Sequence, residues 1–140
     1  MSVSEKVKAL LEKIPLFEMA TIDNDGMPQI RPMGSKVVEN NFVLFISSFA
    51  KARKVDQIKK HSNCQLYFHT PDYQAWFTFS GTAEIIEDQP TKTAYYSKFA
   101  KIGEYFSSDK DPNYGLIRFK TKKIELMEGM AMKPEVLEIK

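Results

Sequence analysis

Residues Ala75 to Ile86 alternate without a break. Phe77, Phe79, Gly81, Ala83 and Ile85 fall on one side, and Trp76, Thr78, Ser80, Thr82 and Glu84 on the other. Successive side chains of a strand point to opposite faces, so a period of two over this length specifies one long β-strand. Shorter runs read the same way at Leu16–Asp23, Met27–Val38, Phe42–Ser47, Asn63–His69, Tyr114–Lys120 and Lys123–Glu128. Turn residues punctuate them. Asn24-Asp25-Gly26 carries the Asp-Gly pair of a tight hairpin, and Glu39-Asn40-Asn41 and Pro71-Asp72 turn the chain again.

Three helices interrupt the strands. Over 2–14, Val3, Val7, Leu10, Leu11 and Ile14 share one face, Ser2 with Glu5 forms a capping box, and Pro15 stops the helix. A second helix runs from about Lys51 to Lys60. Pro90 opens a third, long one, in which Tyr95, Phe99, Ile102 and Phe106 form a core-facing stripe. The stretch 107–113, SSDKDPN, is a polar exposed loop. Met127, Met130 and Met132 near the end are soft side chains suited to covering an apolar surface or filling a gap. Six or seven antiparallel strands with three helices make an α+β chain, and strands of this length favour a closed or nearly closed barrel without exposed edges. Neither G-x-G-x-x-G nor a Walker-type loop is present.

The 140 residues fit a single domain spanning 1–140, long enough for a proper core. Hydrophobic content of 43% and aromatic content of 12% are those of a globular chain. The net charge of +2 and pI of about 8.5 are too mild for general nucleic-acid binding. Phe45, Phe49 and Phe68 interleave with lysines as base-stacking residues would, but the charge balance argues against that use. No run approaches the ~20 apolar residues of a membrane span, and Ser4, Glu5 and Lys6 interrupt any signal-peptide core, so a cytoplasmic location is expected. Cys64, the only cysteine, reads as a small buried hydrophobe. His61 and His69 have no carboxylate or thiol cluster near them, so no metal site is expected.

Two segments carry chemistry. In SSFAKARKVDQIKK, Ser47–Lys60, a strand end and a serine-rich turn lead into a helix whose opening turns hold Lys51, Arg53 and Lys54. A helix N-terminus carries partial positive charge and favours acids, so cations crowded there call for an anion among them. The second segment is MPQIRPMGSKVV, Met27–Val38. Pro28, Pro32 and Gly34 lie on its even face with Ile30, Lys36 and Val38, and Arg31 and Lys36 bracket the irregular stretch. Proline cannot donate to a ladder and Gly34 leaves its backbone open to close approach. Together the segments fit a flat ligand that carries a phosphate.

In their order and spacing, ATIDNDGMPQIRPM, VLFISS, KARKVDQIKKHSNCQLYF and WFTFSGTAEIIED resemble the pyridoxamine 5′-phosphate oxidase-like FMN-binding split barrels, most of all their short general-stress-protein branch. The resemblance runs from about residue 10 to residue 127. It implies a split β-barrel with flanking helices and a homodimer with two FMN molecules in clefts between subunits. By position, Arg31, Pro32 and Met33 would line the isoalloxazine ring and Lys36 would approach it from the same strand. Ser47 and Ser48 would lie near the ribityl–phosphate end, Arg53 and Lys54 would grip the phosphate, and Trp76 would stand near the ring at the cleft. Full-length oxidases of this family carry a C-terminal Arg-x-His element for their substrate; the tail EGMAMKPEVLEIK has neither residue. Their substrate is therefore not expected here. The expectation is an FMN-dependent oxidoreductase acting on a small molecule, with NADH or NADPH as a candidate donor, or else a non-enzymatic flavin-binding stress protein. No catalytic side chain is assigned. Sister branches bind haem or a deazaflavin, and no axial haem ligand stands out.

Overall fold

The computed structural model describes all 140 residues. In chain order the elements are α1 (Val3–Lys13), β1 (Phe17–Ile22), β2 (Pro28–Met33), β3 (Lys36–Glu39), β4 (Val43–Phe49), α2 (Arg53–Lys60), β5 (Asn63–His69), β6 (Ala75–Ile86), α3 (Gln89–Tyr96), β7 (Tyr114–Glu128) and β8 (Glu135–Glu138). Every strand pairing is antiparallel. The eight strands form one sheet in the order β2-β1-β5-β6-β7-β4-β3, with β8 added to β7. The α+β antiparallel architecture is thus as the alternation implies, with one strand more than expected.

The β6–β7 ladder is the spine, running from Ala75 opposite Glu128 to Ile86 opposite Leu116. The other edge of β7 is divided, its first half pairing with β4 and its second with β8. The two runs read as separate strands at 114–120 and 123–128 are therefore one strand. A bulge carries it through the break: Gly81 opposes Thr121 and Ser80 opposes Lys123, so Lys122 has no partner on β6. A side chain at Gly81 would collide with the Lys120 carbonyl oxygen. The buried Thr121 hydroxyl, at the same bulge, has no hydrogen-bond partner.

Met27–Val38 departs from expectation in the opposite sense, because it is two strands. β2 pairs with β1 and β3 pairs with β4, so Gly34-Ser35 carries the chain from one end of the sheet order to the other. Pro32 lacks an N–H and Gly34 lacks a side chain to pack, and the ladder breaks beside them. The third helix is also shorter than its apolar stripe implies. Asp88 caps it, its Oδ2 accepting from Thr91 N at 3.0 Å. It ends at Tyr96 because Thr91, Thr93, Tyr95 and Tyr96 have weak helix propensity, and Lys101 at φ 58° leaves helical space altogether. Phe99, Ile102 and Phe106 are nonetheless buried, on a turn and a short 3₁₀ segment. β8 was not expected: it is short and largely exposed, and only Leu137, with Ile139 beyond it, packs on the core.

The barrel interior is aromatic. Phe68 stacks on Phe17 at 5.1 Å and on Phe77 at 4.9 Å between ring centroids. Val7 and Leu11 of α1 join the same core, and the Ser2–Glu5 capping box holds the start of that helix. β4 is buried on both faces: Leu44 and Ile46 join the barrel core, whereas Phe45 joins Phe99, Ile102, Phe106, Tyr114 and Leu116 in a second cluster. Phe45 and Phe68 are therefore unavailable for stacking on bases. Met130 and Met132 are 95% and 93% exposed and cover nothing within this chain. No helix is long and apolar enough to cross a membrane.

Candidate functional site

The site begins with the alternation of β2. Pro28, Ile30 and Pro32 are exposed, while Gln29, Arg31 and Met33 turn toward the sheet's packed side. Arg31 lies opposite Met19 and Gln29 opposite Thr21 on β1. A guanidinium on that side needs acceptors, and it finds neutral ones. Arg31 donates from Nη1 to the Thr21 hydroxyl at 2.6 Å and to the Met19 carbonyl at 3.2 Å, and from Nη2 to Gln57 Oε1 at 3.2 Å.

Gln57 comes from α2, which lies against β1 and β6. The helix starts at Arg53, so Lys51 sits in the turn before it and not in its opening turn. Ser47 and Ser48 are likewise on β4 and not in a turn. The N-cap is Ala52, which offers no side-chain acceptor, so no side chain satisfies the first N–H groups of α2. Arg53 is exposed, and Lys54 is half-buried with Nζ donating to Ser48 Oγ at 3.1 Å. Three cations thus converge from β2 and α2, and none forms an ion pair. The consequences show in their proton affinities. Burial, then the neighbouring Arg53 charge, lowers the Arg31 pKa; burial, then Arg31, lowers that of Lys54. Asp23, Asp25 and Asp56 line an open depression beside Arg53 without pairing to it. Cys64 is buried at the same end of β5, where burial pushes its thiol up to about 11 and the Arg31 charge partly offsets the rise.

The remaining sequence-derived positions lie elsewhere. Lys36 donates from Nζ to the Ile14 carbonyl at 2.6 Å, just past the C-terminus of α1, with Phe17 and Phe68 each 5.8 Å away. Met33 is buried opposite Phe17. Pro32 is exposed opposite Glu18, which in turn faces Tyr67. Trp76 is half-buried on the same side as Tyr67, with 5.9 Å between rings. The structure therefore brings Arg31, Ser48, Arg53 and Lys54 together, sets Ser47 beside them in sequence, and keeps Lys36 and Trp76 apart. Thr21, Gln29 and Gln57 were missed. Gln57 had a signal, because it follows Arg53 by four residues and Lys54 by three and so shares their helix face.

A barrel whose end strands β2 and β3 are consecutive in the chain, with cations gathered at one helix start, defines the split-barrel class. Residues 3–128 match the family model described as pyridoxamine 5′-phosphate oxidase, and the chain belongs to that family. A pyridoxine/pyridoxamine 5′-phosphate oxidase of Agrobacterium fabrum is 26% identical over 99 residues, covering 69% of this chain and 48% of that protein. The chain thus spans about half the length of the curated relative it matches. Among solved structures, a protein related to general stress protein 26 from Clostridium acetobutylicum superposes with a TM-score of 0.85 at 21% identity, covering 96% of this chain and 93% of that one. A pyridoxamine 5′-phosphate oxidase-related, FMN binding protein from Nostoc punctiforme gives 0.75 at 14% identity, covering 97% and 89%. A heme binding protein from Mycobacterium smegmatis gives 0.78 at 12% identity, covering 99% and 58%. At these identities the likeness is one of fold.

Proposed function

We propose that this chain is a cytoplasmic, homodimeric FMN-binding oxidoreductase that acts on a small molecule. The observation that carries the reading is the cluster of Arg31, Arg53 and Lys54 without a carboxylate partner. Mutual repulsion among cations, two of them half-buried, is tolerated where an anion completes the site, and charge-assisted bonds to phosphate are the strong kind. Arg53 and Lys54, with Ser47, Ser48 and the uncapped N–H groups of α2, would hold the phosphate. Pro32, Met33 and Lys36 would border the flavin ring at the split between β2 and β3, and Arg31, whose guanidinium reaches Gln57 and the charges of Arg53 and Lys54, would stand between that ring and the phosphate. Trp76 would face the ring from the cleft between subunits. At Gly34 a Cβ would meet no other part of the fold within 4 Å, which leaves room for a ligand against that backbone. A ligand lying there would require glycine. Leu16, Met27, Ile30 and Val136 are 66%, 61%, 70% and 51% exposed, apolar surface that a second copy would cover.

Bound flavin supplies hydride or electron transfer, and the protein supplies position and electrostatics. Haem is less well served, since it wants an axial ligand. Here His61 is exposed, and His69 contacts the Thr70 carbonyl through Nδ1 and stacks on Tyr73 at 4.2 Å.

The deciding measurement is the visible spectrum of the concentrated protein before and after adding FMN, followed by light scattering. A saturable flavin spectrum on a particle of twice 16.1 kDa is expected. No spectral change with excess FMN would end the flavin reading, and tight FMN binding by a monomer would end the shared-cleft reading. Stopped-flow mixing with NADH or NADPH then separates an oxidoreductase, whose flavin bleaches, from a flavin store. Gly34→Val should leave stability within about 0.5 kcal/mol of wild type. It should weaken FMN and riboflavin alike by roughly 5- to 150-fold, the equivalent of 1–3 kcal/mol of overpacking. Unaltered flavin titrations would move the ring away from this backbone.

A further inference from the structure

Arg31 makes three hydrogen bonds within the chain, more than any other half-buried cation, and its partners are of one kind. Each acceptor it uses is neutral: a carbonyl, a hydroxyl and a carboxamide. Glutamate at position 57 would match glutamine in shape and bind a guanidinium more strongly. Glutamine stands there instead, on the helix face that carries Arg53 and Lys54.

The hydrogen bonds fix how that amide is turned. Arg31 has only donors, so the Gln57 atom facing it must be the oxygen. The Thr21 hydroxyl accepts from Arg31 and so gives its own proton to the same Gln57 Oε1. Gln57 Nε2 then donates to Gln29 Oε1 at 2.7 Å, and Gln29 Nε2 donates onward to Asp23 Oδ2 at 3.4 Å. The nearest carboxylate in this chain of bonds is therefore two carboxamides away from the guanidinium. Gln57 joins α2 to β1 and β2, and so sets where Arg31 stands relative to Arg53 and Lys54.

We propose that Gln57 is a positioning residue that holds Arg31 in place while leaving its charge uncompensated, and thereby sets the preference for a flavin that carries a phosphate. This rests on reading the cation cluster as the FMN phosphate site. Its loss should alter the ratio of FMN to riboflavin affinity, which a purely structural role would leave alone.

The test is a spectral titration of the full-length protein with FMN and with riboflavin, in wild type, Gln57→Glu and Gln57→Met. In Gln57→Glu the new carboxylate pairs with Arg31, which offsets the lost Gln57–Gln29 hydrogen bond, so the ligand-free melting temperature stays close to that of wild type. The FMN-to-riboflavin affinity ratio drops by at least about tenfold, or ~1.4 kcal/mol. Gln57→Met unties Arg31 without neutralising it, and lowers the ratio by a smaller factor. Should Gln57→Glu fail to fold, the methionine variant decides alone, and an unchanged ratio overturns the proposal. A glutamate variant that keeps the wild-type ratio, or loses both flavins in parallel, also overturns it while the FMN reading stands. A wild type that does not distinguish the two flavins removes the phosphate reading itself, and the role of Gln57 with it.

Discussion

Arg53→Ala is expected to weaken FMN binding by about 10- to 150-fold and to leave riboflavin binding unchanged. The factor follows from a charge-assisted hydrogen bond worth roughly 1.5–3 kcal/mol. The design of the experiment benefits from what Arg53 does not do. It makes no hydrogen bond and no ion pair within the chain, and its charge opposes that of Arg31. Removing it orphans no partner and relieves a repulsion, so stability should stay within about 0.5 kcal/mol of wild type. Isothermal titration with both flavins at two salt concentrations is the measurement. The FMN loss should shrink as salt screens the site. Equal losses for the two flavins would remove Arg53 from the phosphate.

The largest expected effect on stability is at Gly81. Its neighbour is not a side chain that can swing away but the Lys120 carbonyl, part of the backbone of β7. Gly81→Ala must therefore move one of two long strands at the one position where their register shifts. Overpacking costs about 1–3 kcal/mol, and a backbone neighbour places this substitution at the upper end. For a chain of this size that lowers Tm by roughly 10 °C. Gly103→Ala is the matched control, since a Cβ there meets nothing within 4 Å and its φ is not left-handed. Thermal melts of the pair should separate clearly. A Gly81→Ala melt that overlays Gly103→Ala would show that β7 yields more easily than the packing implies.

The strands were legible because most of them are half-buried, and half-burial writes itself as alternation. β1 and β6 are the clearest cases. What failed to show were the features that depend on partners distant in the chain. Whether Met27–Val38 is one strand or two is decided by β1 and β4 competing for it, which no local pattern records. The opposite error at Thr121-Lys122 has the same origin: Gly81, forty residues earlier, absorbs the irregularity. The third helix failed because a stripe at helical spacing can also be buried by turns, as Phe99, Ile102 and Phe106 are. At the candidate site the cations were legible as a local charge anomaly. The neutral groups that hold them, Thr21, Gln29 and Gln57, were silent, since uncharged polar residues announce nothing until their neighbours are known.

The lone thiol gives the molecule a chemical gauge of its own motions. Cys64 is protonated at neutral pH and buried on β5, so alkylating reagents reach it only when the surrounding structure opens. Its labelling rate then follows the population of that opened form and not the chemistry of sulfur. β5 pairs with β1, and β1 pairs with β2, so an opening of this part of the sheet that exposes Cys64 reaches the strands that hold Arg31. Any ligand that ties β2 to α2 slows the labelling, and the degree of slowing reads its grip without a spectroscopic label or an assay for turnover.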